Sequence, residues 1–282
     1  MSTHAAPRRT LSLSLAALAT TALLLTGCSG TGDDPSPTAT ASSTTSSSPS
    51  ATPSATATST SPSPTGEASE STGTSPGSGC PAVGDGVPQG ASSTEVVDVD
   101  GDGRPDTAWL TAGADRTLGI TTASGATFSA PIISASPIPA SAVVGGVATS
   151  DAADVPIALV DLGREAQLFA LTDCTVTQTL DASGQPYVFD RGFGDQGTGV
   201  GCSDVDGATR LAGLLATQED DGWKVTRTLI DLSDGGRLAA NGTVAVVAEE
   251  AAADDAVVTT AQEVSCGDLV AGAGGLTEPG GA

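Results

Sequence analysis

Between residues 29 and 79 the chain contains no Val, Leu, Ile or aromatic residue. Of these 51 residues, 47 are Ser, Thr, Pro, Gly or Ala, and the rest are Asp33, Asp34, Glu67 and Glu70. Such a stretch has no apolar surface to bury against the entropy of ordering it. It reads as a disordered linker with a span of about 40 Å as a flexible coil, longer where Pro favours extended PPII. Its Ser/Thr-Pro composition is mucin-like and compatible with O-glycosylation, though an unmodified spacer explains it equally well. The linker therefore confines the folded part to the C-terminal side, from Cys80 onward.

On its N-terminal side stands an address. Arg8 and Arg9 precede a 15-residue apolar run at 11–25, too short for a permanent membrane helix of about 20 residues. A basic start, a short apolar run and small residues after it form an export signal. The run ends in Leu25-Thr26-Gly27-Cys28, which resembles the lipobox of bacterial lipoproteins. The resemblance implies a signal peptide over 1–27, cleavage before Cys28, and acyl chains on Cys28. Several acyl chains hold a membrane far better than one. Arg8-Arg9-Thr10-Leu11 also resembles a twin-arginine signal, more faintly. The Ala/Gly/Asp-rich usage resembles that of high-GC actinobacterial proteins.

Charge removes further classes. The chain carries 33 acidic and 10 basic residues, a formal net charge of -23, which repels nucleic-acid phosphates. The single His, His4, lies in the signal peptide, so the exported part has no His for a Ser-His-Asp or Cys-His nucleophile or for a His-bearing zinc site.

From residue 80 to 270 the pattern is all-β. Short runs rich in β-branched residues alternate with Gly/Asp turns. Strands are expected at 95–99, 107–111, 117–122, 157–160, 167–171, 187–189, 211–216, 223–230 and 243–248, with one helical turn at 251–253. Residues 271–282 are Gly-rich and read as a disordered tail. Asp98, Asp151 and Asp204 recur at intervals of 53 residues. Each opens a polar loop leading to an apolar strand, a polar turn and a second strand. Units of this size match propeller blades, which must stack to bury both faces. The region holds three units and part of a fourth, which points to a small or incomplete β-propeller-like repeat domain. An irregular sandwich is the alternative.

One motif carries clear chemistry. In Asp98-Val99-Asp100-Gly101-Asp102-Gly103-Arg104-Pro105-Asp106, carboxylates occupy loop positions 1, 3, 5 and 9, with Gly at position 6. That is the ligand spacing of a calcium loop, with the Arg104 backbone carbonyl at position 7 and its side chain free to point outward. Four carboxylates this close repel unless a cation lies among them. Residues 97–110, VDVDGDGRPDTAWL, resemble the calcium-loop segment of FG-GAP/VCBS-type repeats, found in integrin heads and bacterial surface proteins. The resemblance implies blades with a loop joining two strands, and a structural Ca2+ on Asp98, Asp100, Asp102, Arg104 and Asp106. The copy at 201–215 keeps Asp204, Asp206 and Gly207 but has Ala208 in place of the third Asp, so it reads as metal-free or weak. The copy at Asp151 has no metal pattern.

The four remaining cysteines, Cys80, Cys174, Cys202 and Cys266, suggest two disulfides in an exported domain. Cys80–Cys266 with Cys174–Cys202 would close the domain into a ring. Cys80–Cys174 with Cys202–Cys266 is the rival, and spacing does not decide. Residues 192–197, GFGDQG, satisfy GxGxxG, but no helix can follow, so the stretch reads as an exposed Gly-rich loop and not a nucleotide site. Beside it, Tyr187, Phe189 and Phe193 are the densest aromatic cluster. Core packing is the first explanation and ligand contact the second. Asn241-Gly242 reads as a hairpin turn in preference to a glycosylation site.

These readings converge on a lipid-anchored protein at the outer face of the cytoplasmic membrane, with a calcium-stabilised β domain. The expected role is non-catalytic: binding, adhesion or scaffolding, with an envelope glycan or protein as partner. A glycosidase-like hydrolase using paired carboxylates is one alternative, although no acid/base pair stands out. An accessory subunit of an envelope sensor or transporter is the other, and an exposed apolar patch would favour it.

Overall fold

The computed structural model describes residues 79–150, 154–192 and 197–280. Residues 1–78, which hold the expected signal peptide, Cys28 and nearly all of the expected linker, lie outside the described residues, as do Asp151 and Phe193. Within them the chain is all-β, in three sheets. The first is an antiparallel meander of β1 (Ser92–Val96), β2 (Asp106–Leu110), β3 (Thr117–Thr121) and β4 (Thr127–Pro131). The second runs through β5 (Ser141–Ala148), β6 (Asp154–Asp161), β7 (Glu165–Ala170) and β8 (Thr177–Gln178), with β9 (Val188–Asp190) also on β7. The third contains β10 (Gly197–Val205), β11 (Ala208–Glu219), β12 (Gly222–Ser233) and β13 (Leu238–Ala251). The helix α1 (Ala256–Thr260) then leads into β14 (Val264–Cys266) and β15 (Leu269–Val270), which extend the third sheet beyond β10. Last, β16 (Leu276–Thr277) returns to pair with β5.

Every sheet thus contains an up-and-down run of four strands. Asp98 lies in the loop between β1 and β2, whereas Asp204 lies inside β10, two residues before the turn at 206–207 and paired with Thr209. The tail of the domain is not a fourth unit. It supplies β14, β15 and β16 to sheets already begun.

The middle sheet is buried on both faces. In β6, Ala158 and Val160 point into a core shared with the first sheet, where Leu110, Leu118, Ile120 and Phe169 meet. The alternate residues Val155, Ile157 and Leu159 point the other way, onto Val200, Leu211, Ile230 and Leu232 of the third sheet. A strand with two buried faces loses the apolar/polar alternation and becomes a continuous apolar run, which is what 155–160 spells. Neither core joins the first sheet to the third, so the three sheets form an open stack among the described residues.

The disulfides are Cys80–Cys174 (Cα–Cα 5.8 Å) and Cys202–Cys266 (4.6 Å), one of the two pairings that the sequence left open. The ring-closing pair does not form, because Cys80 precedes the first sheet and Cys266 lies in the third, with the middle sheet between them. Cys202 and Cys266 are register partners on the parallel strands β10 and β14. The expected Gly-rich loop at 192–197 lies mostly outside the described residues, and the segment from 197 onward is the strand β10. A Cβ on Gly199 would stand 2.6 Å from the Glu263 carbonyl, and one on Gly201 2.9 Å from that of Ser265, so glycine lets β10 press against the β14 side. Asn241-Gly242 is not a turn but the site of a bulge inside β13, where Thr228 and Ile230 pair with Val244 and Asn241. The helical turn falls at 256–260, after 251–253. Residues 271–280 are not a disordered tail. Leu276 is 4 % exposed in the first core, and the buried Glu278 accepts backbone N–H groups from Ala140 (2.7 Å) and Gly113 (3.1 Å). Arg116 lies 3.5 Å from the same carboxylate.

Candidate metal centre and an aromatic groove

The loop between β1 and β2 is built around its own carboxylates. Positive φ angles at Gly101 (75°) and Gly103 (86°) let the backbone turn its N–H groups inward. The two oxygens of Asp98 accept from Gly101 and Gly103, each at 2.8 Å. Asp100 accepts from the Cys80 N–H (2.8 Å), the Ser124 hydroxyl (2.9 Å) and the Asp102 N–H (3.3 Å). It ties the loop to the first residue of the folded domain. Asp106, 1 % exposed, accepts from Val99 (2.7 Å) with one oxygen and from Ala123 (2.8 Å) with the other.

These environments separate the acids. Burial pushes Asp106 above the ordinary carboxylate range, its two backbone hydrogen bonds pull it back in part, and the charges of Asp100 and Asp98 add to the rise. Burial also acts upward on Asp100, but its hydrogen bonds, led by the Cys80 N–H, outweigh it and hold that group low.

Asp98, Asp100 and Asp106 each offer an oxygen, all within 4.8 Å of one another. Two oxygens bound to one Ca2+ at about 2.3–2.6 Å stand at most about 4.6–5.2 Å apart, so the three could hold one ion. The remaining two members of the expected set are placed differently. Asp102 is engaged by the Arg104 side chain, which donates to it from Nη2 (2.6 Å) and Nε (3.1 Å). The guanidinium therefore folds onto the loop instead of pointing away from it. At the third sheet, Asp206 and Gly207 form a two-residue turn between β10 and β11, with φ of 54° and 80°. That is a tight hairpin turn, with no room for the nine-residue loop of the first sheet.

The aromatic cluster occupies a second place. Tyr187 and Phe189 meet edge to face, ring centroids 5.3 Å apart. The Tyr187 hydroxyl donates to Asn241 Oδ1, and burial raises its pKa. Both rings pack on the second core and wall a groove of about 360 Å³ above β10, β11 and β12. Sequence reasoning missed the floor, since it alternates Gly213, Leu215, Thr226 and Thr228 along strands with no distinctive motif. It also missed an acidic hollow of about 550 Å³, where Glu249 and Glu250 come beside Glu219, Asp220 and Asp221 across the β12–β13 pairing.

Compared with known protein families, characterised proteins and solved structures, the chain matches none.

Proposed function

We propose that this chain is a lipid-anchored envelope protein whose β domain binds or scaffolds without catalysis, with a structural Ca2+ held by Asp98, Asp100 and Asp106. The observation that carries the reading is Asp106. Its carboxylate is buried and each oxygen accepts one backbone N–H, so it sets the shape of the loop and keeps one lone pair per oxygen with which to ligate a cation. Asp102 and Arg104 close the outer side of the loop as an ion pair. The three four-stranded runs are read as blade-like units stacked in a short open series, which departs from the closed ring of the FG-GAP/VCBS-type repeats that the loop resembles. Cys28 supplies the anchor and 29–79 the stalk, and the two disulfides agree with export.

A thermal melt of the chain in calcium and in EDTA tests the metal. A calcium-dependent rise, abolished by Asp100→Asn with Asp106→Asn, is expected. Equal melting with and without chelator defeats it. The anchor is tested separately by metabolic labelling with a fatty acid, which Cys28→Ala should abolish.

A second reading, an accessory subunit docking to an envelope protein, is favoured by the outer strand β13, where Val244 is 62 % and Val246 49 % exposed. It predicts loss of a co-purifying protein in Val246→Lys with the melting temperature unchanged.

A further inference from the structure

We propose that the groove between β9 and the third sheet is a binding site for an uncharged saccharide chain. The inference stands apart from the calcium loop and does not depend on it.

The floor is one face of a sheet. Val200 pairs with Gly213 and Gly213 with Thr228; Thr198 pairs with Leu215 and Leu215 with Thr226. Farther along the same face, Leu211 and Ile230 are buried against the middle sheet. Past Gly213 the strands of the third sheet continue, and the face opens as a groove. Tyr187 and Phe189 stand at that boundary as its wall.

Three properties select the ligand. The lining is mixed: an aromatic wall and Leu215 beside the hydroxyls of Thr198, Thr226 and Thr228 and the amide of Asn241. Thr198 Oγ1 is buried and has no hydrogen-bond partner. A purely apolar ligand would leave these groups unpaired on desolvation. Asp190 alone is charged among the lining residues, and it accepts from the Gly192 N–H (2.8 Å). With a net charge of -23 on the chain, anionic ligands are repelled, and no Lys or Arg lines the groove to hold them. What remains is a neutral ligand that offers C–H faces to aromatic rings and hydroxyls to hydroxyls, which is a sugar ring.

The site also suits a chain over a single ring. A second hollow of about 520 Å³ shares Tyr187, Val188 and Asn241 with the first. The Tyr187–Asn241 hydrogen bond stands between them, so a saccharide passing over it would touch both. That bond uses the Asn241 carbonyl oxygen and leaves its amide N–H groups to donate.

The test is a titration of the isotope-labelled chain with cellotetraose, chitotetraose and maltotetraose, with trigalacturonate as the charged control. At least one neutral probe is expected to shift the amides of Gly213, Leu215, Thr226 and Thr228, and trigalacturonate none. Gly213→Val fills the floor: a Cβ there meets only the Phe189 ring, at 3.8–3.9 Å. It should weaken binding about tenfold, a 1.4 kcal/mol change. Thr226→Val, nearly isosteric, removes only a hydroxyl and should weaken binding too, which keeps the test open if Gly213→Val fails to fold. Absence of groove shifts with all three neutral probes at millimolar concentration overturns the proposal. So does equal binding of trigalacturonate, or binding unchanged in Thr226→Val. The titration is run in calcium and in EDTA. A melt without calcium response removes the metal site and leaves a saccharide result standing, and the reverse holds equally.

Discussion

Asp106 and Asp100 show how one loop gives two carboxylates opposite behaviour. Asp100 is held low, so its contribution to stability is present above the ordinary carboxylate range and is lost as pH falls through its lowered value. Asp106 is raised, so its ionised form is disfavoured in the fold. Its contribution is greatest below the ordinary range and declines as pH rises to its raised value. In EDTA the Asp106 carboxyl carbon should therefore titrate at higher pH than that of Asp100 by NMR, and the reverse order would contradict the site. Asp106→Asn turns an acceptor into a donor facing the Val99 or Ala123 N–H. It should cost about 1–3 kcal/mol in urea denaturation with EDTA present. Gly119 makes a different demand on its neighbour. A Cβ there would stand 2.0 Å from the Trp109 ring, whose indole N–H donates to Thr121 (3.2 Å). Gly119→Ala should displace the ring, destabilise by about 1–3 kcal/mol and shift the Trp fluorescence.

Among the elements, the two-residue strand β16 has an effect beyond its length. It places Leu276 in the first core and Glu278 among the Gly113 and Ala140 N–H groups and Arg116, so the C-terminal segment joins the first two sheets. Leu276→Ala should cost about 2–5 kcal/mol by denaturant unfolding, as for any buried Leu. A tail residue would show no change. The strand β13 is the opposite case, 14 residues long at a sheet edge with exposed valines. Register shifts relative to β12 interrupt it at three places, and such bulges blunt an edge against unwanted pairing.

For the whole molecule, the two disulfides act on different structures. Cys80–Cys174 spans 94 residues and links the start of the domain to the turn after β7, while Cys202–Cys266 spans 64 residues within the third sheet. Chain entropy assigns about 4–5 kcal/mol to each. Cys80→Ser with Cys174→Ser should lower stability by up to that amount. Because the Cys80 N–H binds Asp100, the same variant should also reduce the calcium-induced rise in melting temperature, whereas Cys202→Ser with Cys266→Ser should leave that rise intact.

Local chemistry was legible from the residues alone. The acidic loop, the all-β class and the nine expected strands follow from composition, turn residues and β-branched runs, and each expected strand overlaps an observed one. Partners distant in the chain were not legible. Gly199 and Gly201 carry no strand signal until β14 lies beside them. Asn241-Gly242 looks like a turn until the bulge against β12 absorbs it, and residues 271–280 look empty until Glu278 meets Arg116. The cysteine pairing and the Thr and Gly floor of the groove were likewise decided by which strands became neighbours. Hydrophobic period and turn chemistry act over a few residues, whereas burial on both faces of a middle sheet depends on the whole chain at once.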